Sequence, residues 1–460
     1  MNQPTQRSLT PQYLLTSLFF IIILLLIPNI CKSSDVSIKW SLFVLLFAAG
    51  VLVFQLVSLK WFSPQRRFVF PLFIILSYLF NISQVGLYGV GYELSDTVGW
   101  SSVFKSDDVQ DATMVALESI VSLFWGGITY LVFFDKRKQF KHKETTGNAF
   151  VKVALLLGFI ADFFVSIYMP ITVGYSNLES SLLLNILRLF SLLFSSAIAL
   201  MITDDSLSVK KRKKILIFFV CFKLVCMLSG YRAFSLINIV LAIYLYHKTT
   251  NTIRFTFKTV LLLIAGAILG SALLVAVRET RQTGVDLSVM AGMGVANNPI
   301  LDLLAEFGIT LNVLIVDLRE LAGRGMDGGQ LYTSLLSIVP GASSLFPGVD
   351  FDGLTMDTAL DLRGIGGSYV GDLLFDFGIK GIIWSSFVLG IFISWMFETF
   401  ETAIENKRYA LLAFLFPLTV DVVFCVRSSL AKMPREIVWY FFIFMALKIV
   451  LSKAPQKTSF

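Results

Sequence analysis

Apolar runs of about the 20 residues that cross the hydrocarbon core of a bilayer recur along the chain. They lie at 13–30, 40–59, 68–90, 112–134, 150–173, 182–202, 215–229, 233–247, 257–277, 377–397, 407–426 and 434–452. Each run predicts a helix, because in lipid the backbone N–H and C=O groups of a spanning segment must be satisfied within that segment. The seventh and eighth runs are short and separated only by Gly230-Tyr231-Arg232, which leaves either a tight helical hairpin or one broken element. The pattern predicts an all-α, polytopic membrane helix bundle of about 12 spans.

The rhythm breaks once. From Arg278 to Asp376 the chain runs for 99 residues without a continuous charge-free span, carrying thirteen acids and five arginines. The stretch 299–321 interleaves Asp302, Glu306, Asp317 and Glu320 with Leu, Ile and Val, which suits a helix lying in the membrane interface. The stretch 331–346 is too short to span and is broken by Pro340-Gly341. Both are expected as interfacial or re-entrant helices; if both crossed, the count would rise to about 14 with the same topology. The expected layout is an N-terminal bundle of about nine spans over 1–277, a large extracytoplasmic loop over 278–376, and about three spans over 377–460.

Composition agrees: 56% of the 460 residues are apolar and 15% charged, which excludes a water-soluble globule. The charge is also sorted. Alternate loops hold Lys60, Arg66 and Arg67; Lys136, Arg137, Lys138, Lys141 and Lys143; Lys210 to Lys214; and Lys248 and Arg254. Basic loops stay cytoplasmic, so these face inward and both termini are expected in the cytoplasm. The other set is acidic, with Glu93, Asp96, Asp107, Asp108 and Asp111. The net charge of +7 therefore reports orientation and not a nucleic-acid partner, which would need cations gathered on one soluble face. Arg7 followed by the run at 13–30 has the outline of a secretory signal, but no small-residue cleavage site follows and the run is kept as the first span. Cys31, Cys221, Cys226 and Cys425 are too few and scattered for a disulfide framework or zinc site.

No Walker loop or dinucleotide fingerprint is present. The only histidines, His142 and His247, fall on the expected cytoplasmic side, so chemistry outside must run on carboxylates, arginines, tyrosines or backbone groups. Arg232, Arg278, Arg281, Arg319, Arg324 and Arg363 face outward, and the last external loop adds Arg427, Lys432 and Arg435. Cations held against the positive-inside tendency point either to a bound anion, whose phosphate geometry guanidinium matches, or to an ordinary surface paired with the local acids. Glu118, Asp162, Arg188, Lys223 and Asp421 lie inside spans, where burying a charge is costly. They either line a polar cleft or form interhelical ion pairs. The run Gly364-Ile365-Gly366-Gly367-Ser368-Tyr369-Val370-Gly371-Asp372 is either a backbone cradle for a ligand or a hinge before a helix, with Asp372 as a cap.

About twelve spans, a large late outer loop, Ser229-Gly230-Tyr231-Arg232-Ala233-Phe234 opening a span, and Gly366-Gly367-Ser368 with Asp372 and Phe377-Gly378 before the next resemble the Wzy-type O-antigen and capsule polymerases. The architecture covers nearly the whole chain, the motifs about thirty residues. Tyr231 stands where the family often has a small residue, and Asp372 where it often has Glu. The resemblance implies a membrane glycosyltransferase of lipopolysaccharide or other polysaccharide biosynthesis. It would join oligosaccharide repeat units carried on undecaprenyl diphosphate at the outer face of the bacterial inner membrane, alongside a flippase and a chain-length regulator.

On that resemblance Arg232, Arg278 and Arg281 clamp the donor diphosphate and stabilise its developing charge. Asp372, or failing it Asp376, orients or deprotonates the acceptor hydroxyl. Arg363, Arg427 and Arg435 serve the second lipid diphosphate, with Gly366, Gly367 and Ser368 at the substrate, and neither metal nor cofactor is expected. Three rivals remain. A flippase for the same lipid would use intramembrane charge equally well, but neither duplicated halves nor a need for so large an outer loop supports it. An O-antigen ligase would use an external histidine, absent here. A metal-dependent transferase would rest on Asp107-Asp108.

Overall fold

The computed structural model describes residues 6–33, 35–62, 68–92, 108–134, 148–172, 182–229, 232–250, 301, 304–305, 307–324, 329–349, 351 and 367–452. Among them there is no strand. The helices are α1 (Gln6–Cys31), α2 (Ile38–Phe62), α3 (Val69–Gly89), α4 (Asp108–Phe133), α5 (Asn148–Phe163), α6 (Leu182–Thr203), α7 (Val209–Leu228), α8 (Arg232–Thr250), α9 (Ile309–Arg324), α10 (Gln330–Leu336), α11 (Tyr369–Glu405), α12 (Tyr409–Phe424) and α13 (Met433–Ser452). A π-helical turn, Phe164–Tyr168, and a last turn, Met169–Thr172, continue α5.

Seven helices among the described residues are long and apolar enough to cross a membrane: α1 to α6 and α11. Helix α12 is apolar but shorter. The short seventh and eighth runs form two separate helices, α7 and α8, and the run at 257–277 lies outside the described residues. The chain is a multi-pass membrane protein. The lipid-facing surface is legible in exposed side chains: Trp384, Val388, Phe392 and Trp395 of α11 are exposed at the spacing of one helix face.

The chain divides into two compact units, each assembled from separate stretches. The first comprises Met1–Arg137, Asn298–Glu398 and Cys425–Lys432. At its centre α4 and α11 approach until their backbones nearly touch: a Cβ on Gly126 would meet the Phe387 carbonyl oxygen at 1.9 Å, and one on Gly390 the Leu123 carbonyl oxygen at 1.9 Å. Small residues permit this proximity where lipid supplies no hydrophobic drive between helices. A Ser119–Ser386 hydrogen bond of 2.8 Å lies on the same seam.

Helix α9, expected as an interfacial or re-entrant helix, packs on α4 and α3. Thr310, Leu311, Asn312, Val313, Leu314, Ile315 and Asp317 are all buried, so three polar residues lie inside the unit with the apolar ones. Ser83 and Gln84 of α3 donate to the carbonyls of Leu304 (2.9 Å) and Ala305 (3.1 Å) just before it. The break foreseen at Pro340-Gly341 is present. Helix α10 ends at Leu336, and Gly341 takes φ 71°, a left-handed conformation.

Helix α11 has 37 residues, about 55 Å at 1.5 Å per residue, well beyond a hydrocarbon core of about 30 Å. It is two helices in practice, because Gly378 adopts φ 69°, ψ 176°, which an L side chain resists. The short piece before that break carries the candidate acids.

The second unit comprises Lys138–Asn297, Thr399–Phe424 and Met433–Phe460. Helices α5, α6, α12 and α13 enclose a core of Phe150, Ala154, Leu193, Ala197, Ala413, Tyr440 and Phe444. The Ser196 hydroxyl donates to the Ala413 carbonyl (2.6 Å) and hydrogen-bonds the Tyr440 hydroxyl. One buried serine on α6 thereby fastens both α12 and α13.

Candidate functional site

The first unit gathers three segments around the start of α11. Ser368 is the helix cap, its hydroxyl accepting the Gly371 N–H at 3.2 Å, a placement that satisfies a donor the first turn leaves free. The Tyr369 N–H donates to the Cys425 carbonyl at 2.9 Å, tying this start to the segment after α12. Gly367 sits against that segment, with Ser429 N 3.6 Å from where a Cβ would stand.

Asp372 is 1% exposed. Its carboxylate accepts the Ser429 hydroxyl (3.0 and 3.2 Å) and the Leu430 N–H, at the entry to the 3-10 turn Leu430–Lys432. The Ser429 oxygen also accepts the Ala431 N–H (3.1 Å). One helical turn on, Asp376 accepts the N–H groups of Gln330 (2.7 Å) and Leu331 (2.8 Å), the free donors at the start of α10. The Ser334 hydroxyl of α10 then donates to the Ala431 carbonyl. Residues four apart share a helix face, so Asp372 and Asp376 bind two incoming segments side by side. Negative charge at a helix start is favourable because the free N–H groups point at it.

The segment so held carries Arg427, whose guanidinium lies over the Phe80 ring with 5.8 Å to the centroid. Phe80 in turn meets Phe307 at 5.0 Å. The Arg427 guanidinium is thus packed against an aromatic face. Arg319 pairs with Asp108 at the start of α4, both about two-fifths exposed.

In the second unit Arg232 opens α8; its side chain lies outside the described residues, as do Arg278, Arg281, Arg363 and Gly366 altogether. Arg435 is half-buried in the first turn of α13. Of the ionisable residues inside spans, Asp162 and Lys223 form an ion pair of 2.5 Å with side chains 3% and 2% exposed. Asp162 accepts the Ser166 hydroxyl at 2.7 Å. The Lys223 ammonium sits 5.7 to 5.9 Å from the ring centroids of Phe194, Phe219, Phe222 and Phe234. Glu118 is buried and Arg188 half-buried. Among the described residues no group of three or more His, Cys, Asp or Glu is placed to hold a metal ion.

Sequence reasoning missed Ser429, Ser334 and the N-terminus of α10, which complete the first cluster. Their signal was faint: Ser429 stands four residues before α13, too far to be read as its cap, and a serine before a 3-10 turn looks like any loop serine.

Residues 355–457 match the family model described as O-antigen polysaccharide polymerase Wzy. The matched stretch contains the whole of α11, α12 and α13 and the Cys425–Lys432 segment. No curated protein and no solved structure gives a significant match.

Proposed function

From a Wzy-type chain with several membrane-spanning helices, we propose a polymerase that joins undecaprenyl-diphosphate-linked oligosaccharide repeat units at the outer face of the bacterial inner membrane. The growing glycan leaves its lipid carrier and is transferred to a sugar hydroxyl of the incoming lipid-linked unit. Both termini face the cytoplasm. The observation that carries this reading is the family match over 355–457, because it covers Asp372, Asp376 and the Ser429–Leu430 segment that Asp372 binds.

The chemistry asked of the protein is charge stabilisation. A diphosphate leaving group develops negative charge as the glycosidic bond breaks, and preorganised cations lower that barrier. In this proposal Arg232, Arg278 and Arg281 serve the donor diphosphate, and Arg363, Arg427 and Arg435 the acceptor's. Guanidinium groups supply that neutralisation without a metal. Gly366, Gly367 and Ser368 form the backbone entry beside the sugar.

In this proposal Asp372 is a support, in place of the group expected to orient or deprotonate the acceptor hydroxyl. Buried, with its carboxylate on Ser429 and Leu430, it supports the segment that presents Arg427, and Asp376 holds α10 in the same way. The acceptor hydroxyl then loses its proton to phosphate oxygen or water as the new bond forms.

The test is complementation of a strain lacking this chain. Deletion should leave single repeat units on the surface, and the intact chain should restore a ladder of lengths. Arg278→Ala and Arg427→Ala should lose the ladder at normal protein abundance. A deletion strain with no surface glycan would favour a flippase and end the polymerase reading.

A further inference from the structure

Pro170 stands four residues after Ser166. In a regular α-helix the Ser166 carbonyl would accept the N–H of residue 170, which proline lacks, and the ring would crowd that carbonyl. The chain widens there into the π-helical turn Phe164–Tyr168, with the Met169 N–H donating to the Phe164 carbonyl. The Ser166 carbonyl accepts the hydroxyl of Ser229, which shares its proton with the Cys226 carbonyl of its own helix at 2.9 Å. Ser229 ends α7 and stands three residues before Arg232, the first residue of α8. A sequence feature in α5 therefore creates the acceptor that grips the α7–α8 connection.

A second set of contacts grips the same connection. The Ser166 hydroxyl donates to Asp162, and Asp162 pairs with Lys223 of α7. Lys223 also meets the ring of Phe234 in the first turn of α8, 5.9 Å from its centroid. A buried ion pair is a poor device for stability alone, since two well-packed apolar side chains often do as well or better. Inside a membrane span an ionisable residue is costly to keep. π-helical turns are likewise rare and concentrate at functional sites.

We propose that the π-helical turn of α5, the Asp162–Lys223 pair and Ser229 form a positioning device that fixes the start of α8, and with it Arg232, for the donor diphosphate. The inference rests on the assignment of Arg232 to that anion. Electrostatic stabilisation of a leaving group depends on cations set in place before the reaction, and a displacement of about 1 Å can cost about a hundredfold in rate. Ser229, Ser166, Asp162 and Lys223 are positioning residues; none is required to touch substrate.

The experiment uses the full chain in lipid nanodiscs with purified lipid-linked repeat units, measuring kcat and KM. Ser229→Ala removes the grip, and Pro170→Ala supplies an N–H that competes for the Ser166 carbonyl. Both should lower kcat by roughly ten- to a hundredfold with KM changed far less, the signature of lost transition-state stabilisation. Pro170→Ala guards against a folding artefact, because alanine replaces a helix-breaking residue with the best helix former. Ser229→Thr, which keeps the hydroxyl, should restore most of the turnover.

Wild-type kcat in both Ser229→Ala and Pro170→Ala, with Arg232→Ala inactive, would overturn the positioning role and leave the polymerase reading standing. An active Arg232→Ala would remove the group to be positioned and overturn the proposal. A wild-type chain that never extends the glycan would overturn both readings.

Discussion

The acids of α11 and the acid of α5 are stabilised by opposite means. Asp372 and Asp376 accept from a serine hydroxyl and from backbone N–H groups that begin other segments. Asp162 faces a full positive charge, Lys223, inside a ring of phenylalanines. The hydrogen bonds of the first arrangement assemble chain segments. The second spends charge on charge and locks helix to helix. The difference teaches where each should be fragile. A dipole-held carboxylate can be replaced by a neutral isostere at modest cost, whereas half of a buried ion pair leaves an uncompensated charge.

The largest expected effect tests that directly. Lys223→Met should destabilise the chain by about 3–5 kcal/mol by stranding Asp162, seen as a fall in detergent melting temperature and membrane abundance. The double variant Lys223→Met/Asp162→Leu should recover most of that loss, because the penalty belongs to the unpaired charge. If the double is as damaged as the single, the pair contributes through something other than mutual neutralisation.

Next in size, Asp376→Ala should cost about 1–3 kcal/mol by leaving two backbone donors of α10 unsatisfied. Asp376→Asn, which keeps one acceptor oxygen, should cost about half as much. Equal losses in the two would show that charge, and not acceptance, holds α10. Asp372→Asn sharpens the functional side. As a support it should retain a shortened glycan ladder, whereas a base at that position would lose the ladder entirely at normal abundance.

The smallest effect lies in a third kind of carboxylate. Asp205, two-fifths exposed, meets Lys407 and Arg212, and the Lys407 hydrogen bond holds its pKa below the usual carboxylate value. A depressed folded-state pKa stabilises above the unfolded carboxylate's pKa, and that gain fades as pH falls through the lowered value. For an exposed pair the effect should stay under about 1 kcal/mol and shrink in salt. Asp205→Asn compared with wild type across an acid melting series would measure it. A large, salt-independent loss would move Asp205 into the class of Asp162.

Much of the architecture was legible in residue patterns. Apolar run length marked α1 to α6 and the main part of α11, and Pro340-Gly341 marked a real break. Helix α9 was legible as a helix, but not the partners of its polar residues: its interleaved Asp and Glu suggested an interfacial or re-entrant helix, and Asn312 and Asp317 are buried with the leucines. A one-dimensional pattern records polarity and not which neighbours satisfy it. The same holds for Asp372: the glycine-rich approach pointed to a helix start, but Ser368 is the cap, and the acid caps a segment 57 residues away.

The sequence by itself determined that this chain lives in lipid, which stretches are helical, and which ionisable residues are out of place. Those follow from local free energies: the transfer of apolar runs, the missing N–H of proline, the positive φ open to glycine. Only the tertiary structure decided that Asp162 belongs to Lys223, that Asp376 belongs to α10, and that Ser229 answers the carbonyl freed by Pro170. Such pairings depend on which helices pack together, and that choice is made by shape and by the satisfaction of every buried donor at once, properties no single stretch of the chain contains.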